Sequence, residues 1–492
     1  MSDKTIGIAL LVGHIALGLV GFVFPTVIAV WLGCVVGFSV LYSIRDRNKA
    51  GLLHIAAAYL CSYEVLARFF RESHLPWEVG KYLGIPLLLM GLAFGRKLKT
   101  LVPGLILLAL ITPSLIRTDF SRDIRDTLVF NWSGVFVLAL SVMYFHRRVL
   151  MEKNIVWVLR AIAAPAVTLA VCSMIKSPDL NSIEFSLSAN RETSGFGANQ
   201  VATVYGVGIV ALSVAFFMGR PLFGLATVDF FTMVVLFFRG LISFSRGGLI
   251  SAVIAAAGAL AVILWAYSRH QNIGQTTRIR RLLLVPIIVP VFGVIFLVAD
   301  QLTGGMLLLR YRGETGGTLA GDREKTIAVI TSGRSDIIWS DLLMWKDHPF
   351  LGVGPGKSTT LRPDYGYRKV VPHTEFSRLV SEHGLLGFFF SCAIIIMPLM
   401  IVMNPGYPVV GRAVLAAFAL FSLTVMGHSA TRLFCTTFVF GIGWAIIVPR
   451  DVLLRLAVNH PVLRKRILNR LGLATPELSL PAPPGNQGEK VA

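Results

Sequence analysis

The chain reads as an all-α polytopic membrane protein of about 12 to 14 transmembrane helices with one long extracytoplasmic loop, and three observations carry that reading. Of its 492 residues 55% are hydrophobic and only 15% are charged, with a mean hydropathy of +0.71; soluble domains carry about a quarter charged residues. Apolar runs of about 17 to 22 residues recur from end to end, each long enough for a bilayer core of about 30 Å. Every second connection between them is basic, as the positive-inside rule requires of cytoplasmic loops.

The apolar runs lie near 6–24, 26–43, 51–70, 82–95, 100–115, 129–145, 155–175, 200–219, 221–238, 247–267, 281–300, 384–403, 408–426 and 432–449. The fourth and fifth are short, which makes twelve the lower bound. Only Lys4 precedes the first, and no small-residue cleavage site follows it, so an uncleaved helix is expected there. With the N-terminus inside, the cytoplasmic connections carry Arg45, Arg47 and Lys49, then Arg96, Lys97 and Lys99, then Arg147, Arg148 and Lys153. Arg269, Arg278, Arg280 and Arg281 follow, and the C-terminal tail is cytoplasmic with Arg464, Lys465, Arg466 and Arg470. This order puts the long polar loop, residues 301–376, outside the cytoplasm.

Residues 1–450 are thus expected to form one integral membrane domain, 451–475 a basic interfacial tail on the anionic inner leaflet, and 476–492 a Pro-rich disordered end. Lys and Arg total 46 against 26 Asp and Glu, a net +20. Topological bias and the tail account for most of that excess, so nucleic-acid binding is not needed to explain it. The five cysteines are scattered in or beside apolar runs without metal-type spacing and read as free core residues. Glu64 and Arg68 stand at i, i+4 in the third run and can neutralise each other, whereas Asp229 stands inside the ninth with no evident partner.

Polar residues gather on the translocated side. The stretch Asn190 to Gln200 contains Arg191 and Asn199; Ser245-Arg246-Gly247-Gly248 follows the ninth run; the long loop contains Gly333-Arg334 and Pro372-His373-Thr374. Arginine here opposes the topological bias, so Arg191, Arg246 and Arg334 have a local reason to be present. Guanidinium groups bind phosphate through paired hydrogen bonds and remain charged, which beside lipid suits a lipid phosphate or pyrophosphate. His373 can accept a proton near neutral pH and so activate a hydroxyl. Arg432, one turn beyond His428, is placed to line the same groove, and no carboxylate cluster for a divalent metal is visible outside. The run His348 to Gly356 reads as a tight turn returning the loop toward the membrane.

These motifs resemble the O-antigen ligase and O-antigen polymerase superfamily. The resemblance rests on Gly333-Arg334, Trp339, His348-Pro349-Phe350-Leu351-Gly352-Val353-Gly354-Pro355-Gly356, His373 and Glu382-His383-Gly384-Leu385-Leu386-Gly387 in order, with Ser245-Arg246-Gly247-Gly248 and Gly195-Phe196-Gly197-Ala198-Asn199 before them. Thr374 departs from it, since the family has asparagine after the histidine. The resemblance implies a membrane fold of the GT-C kind in the bacterial inner membrane, with the long loop periplasmic. It implies metal-independent, inverting glycosyl transfer from an undecaprenyl-pyrophosphate-linked oligosaccharide, with no cofactor. Arg246 and Arg334 are then expected to hold the pyrophosphate as it leaves, His373 to deprotonate or orient the acceptor hydroxyl, and Arg191, Asn199 and Arg432 to help bind substrate. The partners implied are the bilayer, a glycan or lipid A–core acceptor, and other polysaccharide-assembly proteins. The chain length and Thr374 lean toward a polymerase of O-antigen or exopolysaccharide, with a ligase as the alternative. A lipid-linked sugar transporter or flippase would need charges spread through the membrane depth, and only Asp229 clearly lies mid-span.

Overall fold

The computed structural model describes residues 2–94, 98–118, 126–177, 194–269, 284–322, 324–331 and 333–448. The tail expected over 451–475 and the disordered end over 476–492 lie outside the described residues, as does Arg191. In chain order the helices are α1 (Asp3–Val23), α2 (Thr26–Asp46), α3 (Leu52–Phe69), α4 (Val79–Ala93), α5 (Val102–Ile111), α6 (Ser133–Phe145), α7 (Glu152–Lys176) and α8 (Ala198–Met218). They continue as α9 (Ala226–Ile242), α10 (Arg246–Ser268) and α11 (Val285–Leu302). The long loop holds α12 (Met306–Tyr311) and α13 (Arg334–Asp347), and α14 (Glu375–Met403), α15 (Val409–Ser429) and α16 (Phe434–Ile442) close the bundle. Each apolar run of the sequence thus contains a helix, and the protein is an all-α polytopic membrane protein. Among the described residues nine helices are long and apolar enough to cross a membrane, and shorter apolar stretches fall at Val79–Ala93, Val102–Arg117 and Val129–Phe145.

Small residues decide which helices are central. The Ala56-Ala57-Ala58 run of α3 and Ala161, Ala163 and Ala164 of α7 let backbones approach, and the apolar windows of α3, α7 and α8 are each 89% buried. For α11 the figure is 6%, so this helix hangs on the outside of the bundle, packed against α9. The crossing of α8 and α10 is tight: a Cβ on Gly248 would lie 2.1 Å from the Ala202 carbonyl oxygen. That close approach fixes the start of α10, which carries Arg246.

Three local features differ from the sequence expectation. The last apolar run ends its helix at Ile442, and Ile446–Val448 pairs in parallel with Val149–Met151 as a two-stranded sheet. β-Branched residues after Gly443 suit an extended edge better than a further helical turn. Asp229 has partners after all, because α9 begins at Ala226 rather than at 221. In the first turn its carboxylate accepts the Leu222 and Phe223 N–H groups at 2.7 and 2.8 Å, capping the preceding turn. Finally, α14 begins at Glu375, ahead of the apolar run, because the charges of its first turns are neutralised internally.

The glycine-rich run is the turn the sequence suggests. Gly352, Gly354 and Gly356 all have positive φ, and Val353 and Gly354 donate to the Ser381 and Glu382 carbonyls at 2.9 and 3.1 Å. Those two carbonyls are free because α14 breaks at Gly384 (φ 63°, ψ −141°), a conformation glycine alone adopts easily. The turn plugs this break, and Leu385 N–H closes it onto the Pro349 carbonyl at 2.7 Å.

Candidate functional site

Helix starts place the arginines. After α9 the chain turns through Phe244 at positive φ, and Ser245 then begins α10 by donating its hydroxyl to Asn199 Oδ1 at 2.8 Å. Asn199 therefore positions the start of α10. Arg246, the first residue of α10, donates to the Tyr311 and Ile330 carbonyls at 3.5 and 3.3 Å, tying two parts of the long loop to the bundle. Arg334 opens α13 directly after Gly333, whose φ of 78° turns the chain into the helix. Arg310, at the end of α12, completes the group.

Burial holds the Arg334 guanidinium below its ordinary range, and the charge of Arg246 adds to this. Arg310 is depressed by burial and then by the charges of both Arg246 and Arg334. Among the described residues none of the three forms an ion pair with a carboxylate, and the Arg310 Nε has no hydrogen-bond partner. Asp341, seven residues beyond Arg334, is taken by Arg362 at 2.5 Å. Three like charges thus lie within one another's influence, at the starts of α10 and α13 and the end of α12, and none is ion-paired to a carboxylate among the described residues.

His373 stands two residues before α14, and the segment that carries it is held by a chain of buried contacts. Thr374 bonds the Ser377 hydroxyl, Ser377 donates to Asp341 Oδ2 at 2.7 Å, and Arg362 spans Asp341, the Ser340 hydroxyl at 2.7 Å and the Val370 carbonyl. The threonine where the family has asparagine is therefore a working link in this chain. The His373 imidazole itself has no hydrogen-bond partner among the described residues. Its pKa is lowered to about 4 by burial first and then by the charges of Arg432, Arg334, His428 and Arg362. His428 lies over the start of α10, where a Cβ on Gly247 would meet its ring at 2.3 Å.

On the other side of His373 is a polar groove of about 230 Å³, lined among others by Arg68, Trp77, Phe130, Gln200, Pro372 and Arg432. Arg432 donates to the Pro372 carbonyl at 2.6 Å. It rides on a turn that Glu375 fixes by accepting Thr431 N–H and Oγ1, each at 3.1 Å. Behind the groove, Arg68 pairs with Glu64 at 2.6 Å and Glu78 at 3.3 Å, Lys81 with Glu78 at 2.9 Å, and Arg378 with Glu375 and Glu382.

The residues picked from sequence thus fall into one region: Arg246 and Arg334 together, His373 beside them, Arg432 beyond it, with Asn199 in a supporting position. Sequence reasoning missed Arg310. Its signal was an arginine at the end of Met306-Leu307-Leu308-Leu309, the same departure from topological bias that marked Arg246. It also missed the groove, whose walls come from five separate stretches of chain.

Fold and site together define a multi-pass membrane protein with an unneutralised guanidinium cluster beside a neutral histidine at one end of its helices. Residues 231–392, about a third of the chain, match the family described as O-antigen ligase. The match bears out the superfamily that the motifs resemble, and at that level it supports an O-antigen ligase- or polymerase-type role in bacterial polysaccharide synthesis. Arg246, Arg310, Arg334 and His373 all lie inside the matched segment, whereas Asn199 and Arg432 lie outside it. No curated protein matches the chain.

Proposed function

We propose that the protein is an inverting, metal-independent glycosyltransferase of the bacterial inner membrane. It transfers a glycan from undecaprenyl pyrophosphate to a sugar hydroxyl at the periplasmic face, in polymerisation of O-antigen or exopolysaccharide. The observation that carries this reading is the cluster of Arg246, Arg310 and Arg334, three guanidinium groups without a carboxylate among the described residues. A lipid-linked diphosphate supplies the missing negative charge, and its oxygens match the paired donors of guanidinium.

The acceptor hydroxyl is oriented by His373 and attacks the anomeric carbon. Its oxygen forms the new glycosidic bond as the bond to the diphosphate oxygen breaks, inverting the configuration. The hydroxyl proton passes to His373 and then to water, while Arg246, Arg310 and Arg334 stabilise the charge gathering on the leaving diphosphate. With a pKa of about 4, His373 is a neutral acceptor at neutral pH but a weak base. Diphosphate bound to the arginines offsets the positive field that lowers it, so donor binding itself raises its basicity.

The family description favours a second reading, a ligase that joins the finished glycan to lipid A–core. The test uses purified protein in liposomes with labelled undecaprenyl-pyrophosphate oligosaccharide and EDTA, without another lipid acceptor. A ladder of lengthening glycans that disappears in His373→Ala establishes the polymerase. A single shift that appears only after lipid A–core is added establishes the ligase. Undiminished turnover in His373→Ala removes the proposed role of that histidine under either reading.

A further inference from the structure

The groove beyond His373 is a second cationic place, separate from the first. Arg334 responds to Arg246, and Arg310 to both, whereas Arg432 responds to Arg378, Glu375 and Arg68. His373 feels members of both groups, Arg432 most strongly and Arg334 next, and none of Arg246, Arg310 and Arg334 lines the groove. A group that transfers a glycan between two substrates needs this arrangement, with the hydroxyl-orienting residue where the two sites meet.

Charge in the groove is almost fully accounted for. Arg68 has Glu64 and Glu78, Lys81 has Glu78, and Arg378 has Glu375 and Glu382. Among the described residues Arg432 is the lining cation without a carboxylate; its one hydrogen bond is from Nη2 to the Pro372 carbonyl. Burial and then the charge of Arg378 lower its pKa to about 10, although Glu375 pulls the other way. Among the described residues the Nε and Nη1 donors of this largely buried guanidinium have no hydrogen-bond partner.

The rest of the lining suits a sugar ring. Trp77 is 42% and Phe130 40% exposed, large fractions for aromatic residues lining a recess, and aromatic rings are the side chains that pack on the C–H side of a pyranose. The Trp77 ring is held in place by Phe196 at 5.3 Å and by the Arg68 guanidinium at 5.1 Å. Gln200, whose Oε1 accepts from Arg68 Nη1 at 2.8 Å, brings an amide group to the same wall.

We propose that this groove is the acceptor-saccharide subsite and that it selects a sugar carrying a negative charge, a uronic acid or a phosphorylated sugar. Arg432 grips the anionic substituent through its unoccupied edge, Trp77 and Phe130 pack on the ring, and the bond from Arg432 to Pro372 couples occupancy to the position of His373. The identity of the acceptor rests on the glycosyl-transfer reading, but the anionic preference of the groove is measurable without any transfer.

The experiment measures equilibrium binding of methyl glycosides to the full-length protein in lipid nanodiscs, with matched neutral, uronate and 6-phosphate forms of gluco and galacto sugars. An anionic form is expected to bind about tenfold more tightly than its neutral counterpart, the scale of one added charged hydrogen bond. The stronger of the uronate and phosphate arms identifies which anion is read. Arg432→Gln should erase the preference, and Arg432→Lys should retain part of it. Equal binding of neutral and anionic forms by the wild-type protein overturns the proposal, as does a preference that survives in Arg432→Gln. Displacement of the glycosides by inorganic pyrophosphate that persists undiminished in Arg432→Gln also overturns it, by assigning the groove to the leaving group. If Arg432→Gln fails to fold, the partial retention in Arg432→Lys and the wild-type comparison of neutral with anionic forms still decide. His373→Ala separates the two readings: it should lose transfer yet keep the anionic preference, so transfer surviving in that variant counts against the mechanism and leaves the groove assignment standing.

Discussion

At the scale of single residues, His373 shows how a charge field sets chemistry. Four cationic or ionisable neighbours and burial hold it near pKa 4, so the imidazole protonates only well below neutral pH. Protonation removes its acceptor capacity, so activity falls as pH falls through that value. The acid limb of kcat/KM, which reports the free enzyme, should lie near pH 4. The limb of kcat should lie higher, because bound diphosphate cancels part of the field; coincident limbs would contradict this. Arg334 obeys a geometric rule as well as an electrostatic one. Arg334→Lys should lose about a hundredfold in kcat, nearly as much as Arg334→Ala, because an ammonium cannot reproduce the paired donors. Full activity in the lysine variant would show that charge alone suffices. Arg246 and Arg334 were visible in the sequence because arginines in connections expected outside the cytoplasm oppose the positive-inside bias, and His373 because the resembling motif centres on it. Arg310 was hidden because an arginine beside three leucines reads equally well as one snorkelling from a lipid-facing segment.

At the scale of elements, the break in α14 and the glycine turn that fills it are one unit. Gly384→Ala forces a side chain into φ 63°, ψ −141°, where a Cβ would also meet the Phe350 carbonyl oxygen at 2.4 Å. The substitution should destabilise the protein by roughly 1–3 kcal/mol and lower activity together with the thermal unfolding midpoint. An unchanged midpoint would mean that the turn does not depend on the break. The glycines were legible as a turn from composition, since three in five residues with a proline have few other uses. Its docking site was not, because the helix break lies about thirty residues further on, at the first residue of an apolar run that carries no mark of a kink. The strand Ile446–Val448 was missed for a related reason: three β-branched residues at the end of an apolar stretch carry no helical or strand periodicity of their own.

At the scale of the whole molecule, hydropathy made the helices easy to find, whereas the relation between them came only from packing. Nothing in the chain order announces that Arg68, Asn131, Gln200 and Arg432 share one groove. The proposed orientation has a direct test in a cysteine-free background. Asp364→Cys in the long loop should react with a membrane-impermeant thiol reagent in cells whose outer membrane alone is permeabilised, and Arg47→Cys only after the inner membrane is opened. The reverse pattern would invert the protein and remove the periplasmic assignment of the site.

The buried charges of α14 also bear on biogenesis. Arg378 donates to the Asn131 carbonyl at 2.9 Å, a group synthesised 247 residues earlier, while Glu375 accepts from Thr431, synthesised 56 residues later. A ribosome that has just released α14 has therefore delivered a helix whose start is only partly satisfied. Until the chain past Thr431 emerges, these carboxylates must remain near water or be shielded by the insertion machinery. The groove that Arg378, Thr431 and Arg432 line is thus completed late in synthesis, so prematurely terminated chains leave the translocon without it.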